Sequence, residues 1–206
     1  MADILKFDEV NRISEDYETY FGNMNLSNTE KNDRINLAKK FEIMMLYFFF
    51  IYSSEDFYDD DELIEFIEQK YIDIASEFLK LNTISEYIQE TAKKTAKNII
   101  DVTNRHNEEQ WYTSTDRAMA IAENQANTIG NYRQQIDAIR NGKSFKIWDT
   151  MGDKRVRHTH SEANNQMVGI FETFKVGGYE LSFPRDGSLG ASADEIDNCR
   201  CTCRYL

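Results

Sequence analysis

Chain breakers are scarce in the first two thirds of this 206-residue protein. The single proline is Pro184, and of nine glycines only Gly22 precedes Gly130. A stretch so poor in both, and rich in Ile, Leu, Glu and Lys, excludes a turn-rich β front and reads as helices. Cysteine is also scarce: Cys199, Cys201 and Cys203 are the whole complement. Three thiols confined to five positions do not make the spread, even-numbered framework of a secreted disulfide scaffold. A reducing cytoplasm is the default compartment. No apolar run is long enough to span a bilayer. The most apolar, Phe41 to Tyr52, falls well short of the roughly 20 residues a spanning helix needs. Residues 1–6 are polar with no apolar stretch behind them, so no secretory signal is expected. Basic charge is sparse at the front: residues 1–90 hold 21 acidic and 8 basic side chains, residues 91–206 hold 15 and 16. That front half repels nucleic-acid phosphate and suits either solvent or a basic protein surface.

What is present is helical punctuation. The pattern predicts five helices. The first covers about residues 4–21 and ends near Gly22; the second opens at the capping-box sequence Ser27-Asn28-Thr29-Glu30 and runs to Tyr52. The third covers about residues 61–80, with Asp59, Asp60, Asp61 and Glu62 at its dipole-positive start. A second capping box, Thr83-Ile84-Ser85-Glu86, predicts a fourth helix to about Val102, and the fifth runs from about Ser114 to Asn141 before Gly142. On the fifth helix Ala118, Ala122, Ile129, Tyr132, Ile136 and Ile139 recur at helical spacing and predict the buried stripe, with Gln125 on the same face. A polar residue there must be hydrogen-bonded or line a site.

Beyond Gly142 short apolar runs alternate with turn residues. Strands are predicted at 145–148, 169–174, 179–183 and 198–204, with Gly177-Gly178 as a hairpin turn, residues 184–187 as a turn and residues 191–197 as a short helix. The expected core of this part is Trp148, Phe171, Phe174, Leu181 and Phe183, packed on the fifth helix. The fold class is therefore α+β: a mostly helical N-terminal region, then a small C-terminal α+β domain with short antiparallel strands. Two domains are expected. One is an acidic helical region, 1–112. The other, 113–206, is a long helix, 113–142, plus a small module, 143–206.

The chemistry-bearing residues gather at the end. Alternating thiols at 199, 201 and 203 share one face of a strand, and His160 or His158 would complete four zinc ligands. The spacing leaves three readings open: a metal site, buried free thiols acting as small apolar residues, and a disulfide. Asp153, Arg155 and Arg157 precede His160 and form either an acid–base cluster or an ion-paired loop. No nucleophile elbow, phosphate-binding glycine loop or H-E-x-x-H motif occurs.

Four ordered pieces carry a family likeness. They are Trp148-x-Thr150-x-x-Asp153-x-Arg155-Val156-Arg157-x-x-His160, Phe174-x-Val176-Gly177-Gly178, Phe183-Pro184-x-Asp186, and Glu195-Ile196-x-Asn198-Cys199-Arg200-Cys201. With Arg117-Ala118 and residues 121–127 upstream, this resembles the phage Mu F-like family of minor head proteins, the phage head morphogenesis domain, over about residues 115–203. The resemblance implies a low-copy structural protein of the tailed-phage head, with portal or capsid proteins as partners, found in the virion and in the host cytoplasm during assembly. The short apolar run leaves no membrane association to expect, and DNA contact is possible but not favoured by the acidic front. It also implies a metal site at His160, Cys199 and Cys201, which Cys203 would complete, holding a structural Zn2+. Many relatives carry an acidic residue where this chain has Gln125, which weakens any carboxylate active site on that helix. Two alternatives stand beside this: a metal-dependent enzyme acting on nucleic acid or a nucleotide, with Asp153 or Asp186 as a further ligand, and a phage-derived regulatory interaction protein whose acidic front is the binding arm.

Overall fold

A computed structural model of the chain describes residues 17–54, 59–80 and 83–206. Of the first expected helix, only residues 17–22 are described, and they are helical; the remainder lies outside the described residues. The long helices that follow are α1 (Asn28–Tyr52), α2 (Asp60–Leu79), α3 (Glu86–Arg105) and, after a 3-10 turn at Gln110–Thr113, α4 (Thr115–Arg140). The small elements are β1 (Phe145–Asp149), α5 (His158–Ala163), β2 (Met167–Gly169), β3 (Phe174–Val176), β4 (Tyr179–Leu181), α6 (Ala193–Ile196) and β5 (Thr202–Tyr205). The architecture is α+β, with the strands all C-terminal and all antiparallel.

Local chemistry sets the helix ends. At α1 the box closes both ways: the Glu30 amide donates to Ser27 Oγ at 3.3 Å, and the Ser27 amide donates to Glu30 Oε2 at 2.9 Å. Asp59 caps α2 by accepting from the Glu62 amide at 2.8 Å. At α3 the cap is Ser85, which accepts from the Ile88 amide, so the expected box on Thr83 gives way to a helix starting two residues later. Helix α4 ends as expected at Gly142. Its φ is +69, the Gly142 amide reaches Ile139 O at 3.0 Å and the Lys143 amide reaches Ala138 O at 3.0 Å, the paired bonds of a Schellman stop.

By compactness the chain divides into two units, residues 36–125 and residues 1–35 with 126–206. Among the described residues, the elements of the first unit are all helical. Its core holds Phe41, Met45, Phe48 and Phe49 of α1, Ile67, Tyr71 and Ala75 of α2, and Ile88, Ala92, Ala96 and Ile100 of α3. The run 41–52 is thus a core helix on one face; among the described residues no helix is long and apolar enough to cross a membrane. Gln125 accepts a hydrogen bond from Tyr71 Oη at 3.0 Å, which satisfies its amide oxygen. The Arg117 guanidinium donates to Thr103 Oγ1 at 2.8 Å and lies over the Tyr112 ring.

The second unit contains a three-stranded sheet in the order β2-β1-β5 and a β3–β4 hairpin. Gly177 and Gly178 turn that hairpin with φ of +58 and +87, the two left-handed residues a type I′ turn requires. Its core is Trp148, Ala163, Phe174, Val176, Leu181 and the three cysteines. Two expectations change here. Phe171 is 80 % exposed, because residues 170–173 form the turn between β2 and β3 instead of a strand. The terminal strand begins at Thr202, so Cys199 and Cys201 precede it. The α4 stripe changes as well: toward its C-terminal end Asn127, Asn131, Gln135 and Ala138 are buried, while Tyr132 and Ile136 are only partly covered and Ile139 is exposed. The reason is hydrogen bonding. Asn127 Nδ2 donates to Cys199 O at 2.8 Å, Asn131 Nδ2 to Pro184 O at 2.8 Å, and Gln135 Nε2 to Ile170 O at 2.8 Å. Loop carbonyls need donors, and apolar side chains at those positions would leave them unsatisfied.

Candidate metal centre

Three side chains meet in the second unit. Helix α5 presents His160 inward with 2 % of its surface exposed, and the segment before β5 brings up Cys199 and Cys201, both buried. His160 Nδ1 lies 3.5 Å from Cys199 Sγ and 3.4 Å from Cys201 Sγ, and the three ligand atoms all fall within 4.8 Å of one another. A tetrahedral zinc with Zn–N near 2.0 Å and Zn–S near 2.3 Å separates its nitrogen and sulfur ligands by about 3.6 Å. The donor set and its spacing therefore fit zinc.

The surroundings orient each donor. His160 Nε2 meets Glu195 Oε2 at 3.0 Å, which leaves Nδ1 to face the sulfurs, the arrangement by which a carboxylate fixes a ligating imidazole. Thr159 Oγ1 donates to the same Glu195 oxygen at 2.9 Å. The Trp148 ring stands edge-on to the imidazole, with centroids 5.6 Å apart. Cys199 Sγ accepts from the Cys201 amide at 3.4 Å, a hook that turns both thiols to one side. The Cys199 thiol sits well below its ordinary pKa, held there by its hydrogen bond with Cys201 and, beyond that, by His160; burial opposes the shift. Cys201 is pushed up by the same neighbour and by burial, so the pair releases one proton readily and the second with difficulty. For His160, burial disfavours the charged ring, but the hydrogen bond and charge of Cys199 outweigh it and the pKa rises.

The other sequence candidates lie apart from this group. Cys203 is buried on β5 opposite Trp148, and burial pushes its thiol up to about 12. His158 is exposed and faces Glu162 at 3.6 Å. Asp153 accepts from Arg200 Nη2 at 2.9 Å and from the Arg155 amide at 2.9 Å, the ion-paired loop of the two readings. Asp186 is buried in its turn, taking the Ser182 amide at 3.0 Å and the Ser188 amide at 3.0 Å. All three cysteines are free.

Sequence reasoning missed a supporting layer. Arg34 of α1 is buried and donates to Asn131 Oδ1 at 3.0 Å, to Gln134 Oε1 at 2.9 Å and to the Asn127 side-chain oxygen. With their oxygens turned to Arg34, Asn127 and Asn131 turn their N–H groups to the Cys199 and Cys201 carbonyls. The guanidinium occupies the space above Gly130, where an added Cβ would stand 2.6 Å from Arg34 Cζ. Burial lowers the Arg34 pKa to about 10, and the group stays charged at neutral pH. The signal was the spacing Asn127, Asn131, Gln135, which repeats every four residues like a buried stripe but is polar. Glu195 was legible only as a motif letter. Its contact with Gly177, where a Cβ would meet Glu195 Oε1 at 2.1 Å, explains why the hairpin needs glycine at that position.

Separate pieces of sequence thus meet at one centre: the Trp148–His160 stretch, the Gly177-Gly178 hairpin and the Glu195–Cys201 stretch. No match to a curated protein or to a solved structure was found. The model of a family described as Phage Mu protein F like protein matches residues 83–204, taking in α3 upstream of the expected start near 115. That span covers more than half of the chain, and the protein belongs to the phage Mu protein F-like family of phage head morphogenesis proteins.

Proposed function

We propose that this protein is a minor head component of a tailed phage that works at or near the portal or the capsid interior in head assembly, DNA packaging or DNA delivery. The family match over residues 83–204 carries this reading. Capsid-related partners and a place in the virion follow from it, and the proposal adds assembly in the host cytoplasm. Quantitative mass spectrometry of purified particles should find a few copies per particle, and the protein should co-purify with the neighbouring portal protein. Absence from particles together with failure to bind portal under assembly conditions would sink the reading.

Within that role, His160, Cys199 and Cys201 hold a structural zinc ion. The support is the donor chemistry and the Glu195-oriented imidazole. Zinc bound there would cross-link α5 to the segment before β5, which matters for a small module whose core is modest. Metal analysis should return one equivalent of zinc. Cys201→Ser should lose the metal and lower the melting temperature; an unchanged melting temperature would refute the structural role.

A second reading, a metal-dependent hydrolase acting on nucleic acid or a nucleotide, draws on one observation: the group contributes three protein ligands, the number that leaves a catalytic zinc an open position. A folded His160→Ala variant that loses a measurable hydrolase activity supports it, and an inactive parent protein rejects it.

A further inference from the structure

The three ligand residues line a pocket together with Arg155, Arg157 and Arg200. It is small and open to solvent, so it suits a compact ion or the end of a chain, not a whole nucleotide. Its charge is lopsided. Asp153 pairs with Arg200 at 2.9 Å, and the Arg157 guanidinium donates to the Asp197 carbonyl, a neutral acceptor that leaves its charge uncompensated. Arg155 is exposed at the rim. Three guanidiniums line it, against the carboxylates of Asp153 and, beside His160, of Glu195, and a zinc with three protein ligands has one position to fill.

We propose that this pocket is a phosphate-binding site. The phosphate is inorganic or the terminal phosphate of a nucleic acid; its oxygens engage Arg155, Arg157 and Arg200, and one of them completes the metal's ligand set. The inference rests on the metal-centre reading above. Phosphate is favoured over a carboxylate because it carries up to two charges and offers an oxygen to each of several guanidinium forks, whereas a carboxylate saturates one.

The test uses the full chain loaded with one equivalent of Co2+, whose absorption reports the ligand set. Titration with inorganic phosphate should change the spectrum saturably. Arg155→Ala, a rim substitution, should weaken that response by roughly tenfold, the loss of about one charge-assisted hydrogen bond, with metal uptake unchanged. A 5′-phosphorylated oligonucleotide and its unphosphorylated twin separate the sources. A response to the phosphorylated form alone assigns a nucleic-acid end, and a response only to inorganic phosphate assigns the free ion. Full cobalt uptake with no phosphate response, or an equal response in Arg155→Ala, overturns the phosphate site alone. No cobalt uptake overturns the metal centre and this proposal together.

Discussion

Substituting Gly177 by alanine separates two costs that the hairpin turn combines. Gly177 and its neighbour Gly178 both have positive φ, +58 and +87, so alanine at either carries the left-handed penalty of about 1–2 kcal/mol. The surroundings differ. A Cβ on Gly178 meets nothing within 4 Å, whereas one on Gly177 stands 2.1 Å from Glu195 Oε1. The carboxylate can swing aside, but it then leaves His160 Nε2, now at 3.0 Å, and Thr159 Oγ1, now at 2.9 Å. Leaving the buried His160 nitrogen and the half-buried Thr159 hydroxyl without that partner costs about 1–3 kcal/mol more. Gly178→Ala should therefore lose about 1–2 kcal/mol and Gly177→Ala about 2–5 kcal/mol in urea unfolding followed by circular dichroism. Zinc affinity should fall roughly 10–100-fold in Gly177→Ala alone, as expected when the group orienting a ligand is lost. In a Glu195→Ala background the extra cost should vanish, giving a coupling of about 1–3 kcal/mol in the double-mutant cycle. Equal losses for the two glycines, in the parent and in the Glu195→Ala background, would refute the claim that Gly177 makes room for Glu195.

Asn131→Ala removes the acceptor of Arg34 and the donor to Pro184 O and Cys201 O, and should cost about 2–4 kcal/mol by urea unfolding; a loss under 1 kcal/mol would mean the asparagine layer bears little. Phe174→Ala should cost about 3–5 kcal/mol and Phe171→Ala under about 0.5 kcal/mol, since the first ring is fully buried and the second 80 % exposed; thermal melts decide between them. Cys203→Ser should keep one equivalent of zinc while Cys199→Ser should lose it, as metal analysis would show, because Cys203 lies outside the His160 group. Burial raises the Cys203 pKa to about 12, so the thiol contributes stability below its unfolded pKa near 8.5 that is lost as pH rises toward 12. Stability curves for Cys203→Ala should accordingly be flatter than the parent's across that window.

The capping pairs show how far local sequence reaches. Ser27 with Glu30, Asp59 with Glu62 and Gly142 after α4 each act through bonds spanning a few residues, so they can be read without any fold. The Thr83 box illustrates the limit: two hydroxyl residues compete for one cap, and the helix begins at the second. The α4 face was half legible. Ala118, Ala122 and Ile129 follow apolar periodicity and are buried, but Asn127, Asn131 and Gln135 are buried against it, because their partners are carbonyls far along the chain. Phe171 shows the converse error, an aromatic assigned to the core that sits in a turn.

By itself the sequence determined the α+β class, most helix limits, the glycine hairpin and which thiols and imidazoles the C-terminal part has to offer, since each of these depends on residue type and near neighbours. Only the tertiary structure decided which donors meet. Spacing put three cysteines on one strand face, yet β5 starts at Thr202, and the turn before it presents Cys199 and Cys201 to His160 while Cys203 lies outside the group. That selection depends on the Cys201 amide, on Glu195 reaching His160 past Gly177, and on Arg34 turning two asparagine side chains toward the cysteine carbonyls. These contacts join residues 34 to 201, and no local pattern records a hydrogen bond made across that distance.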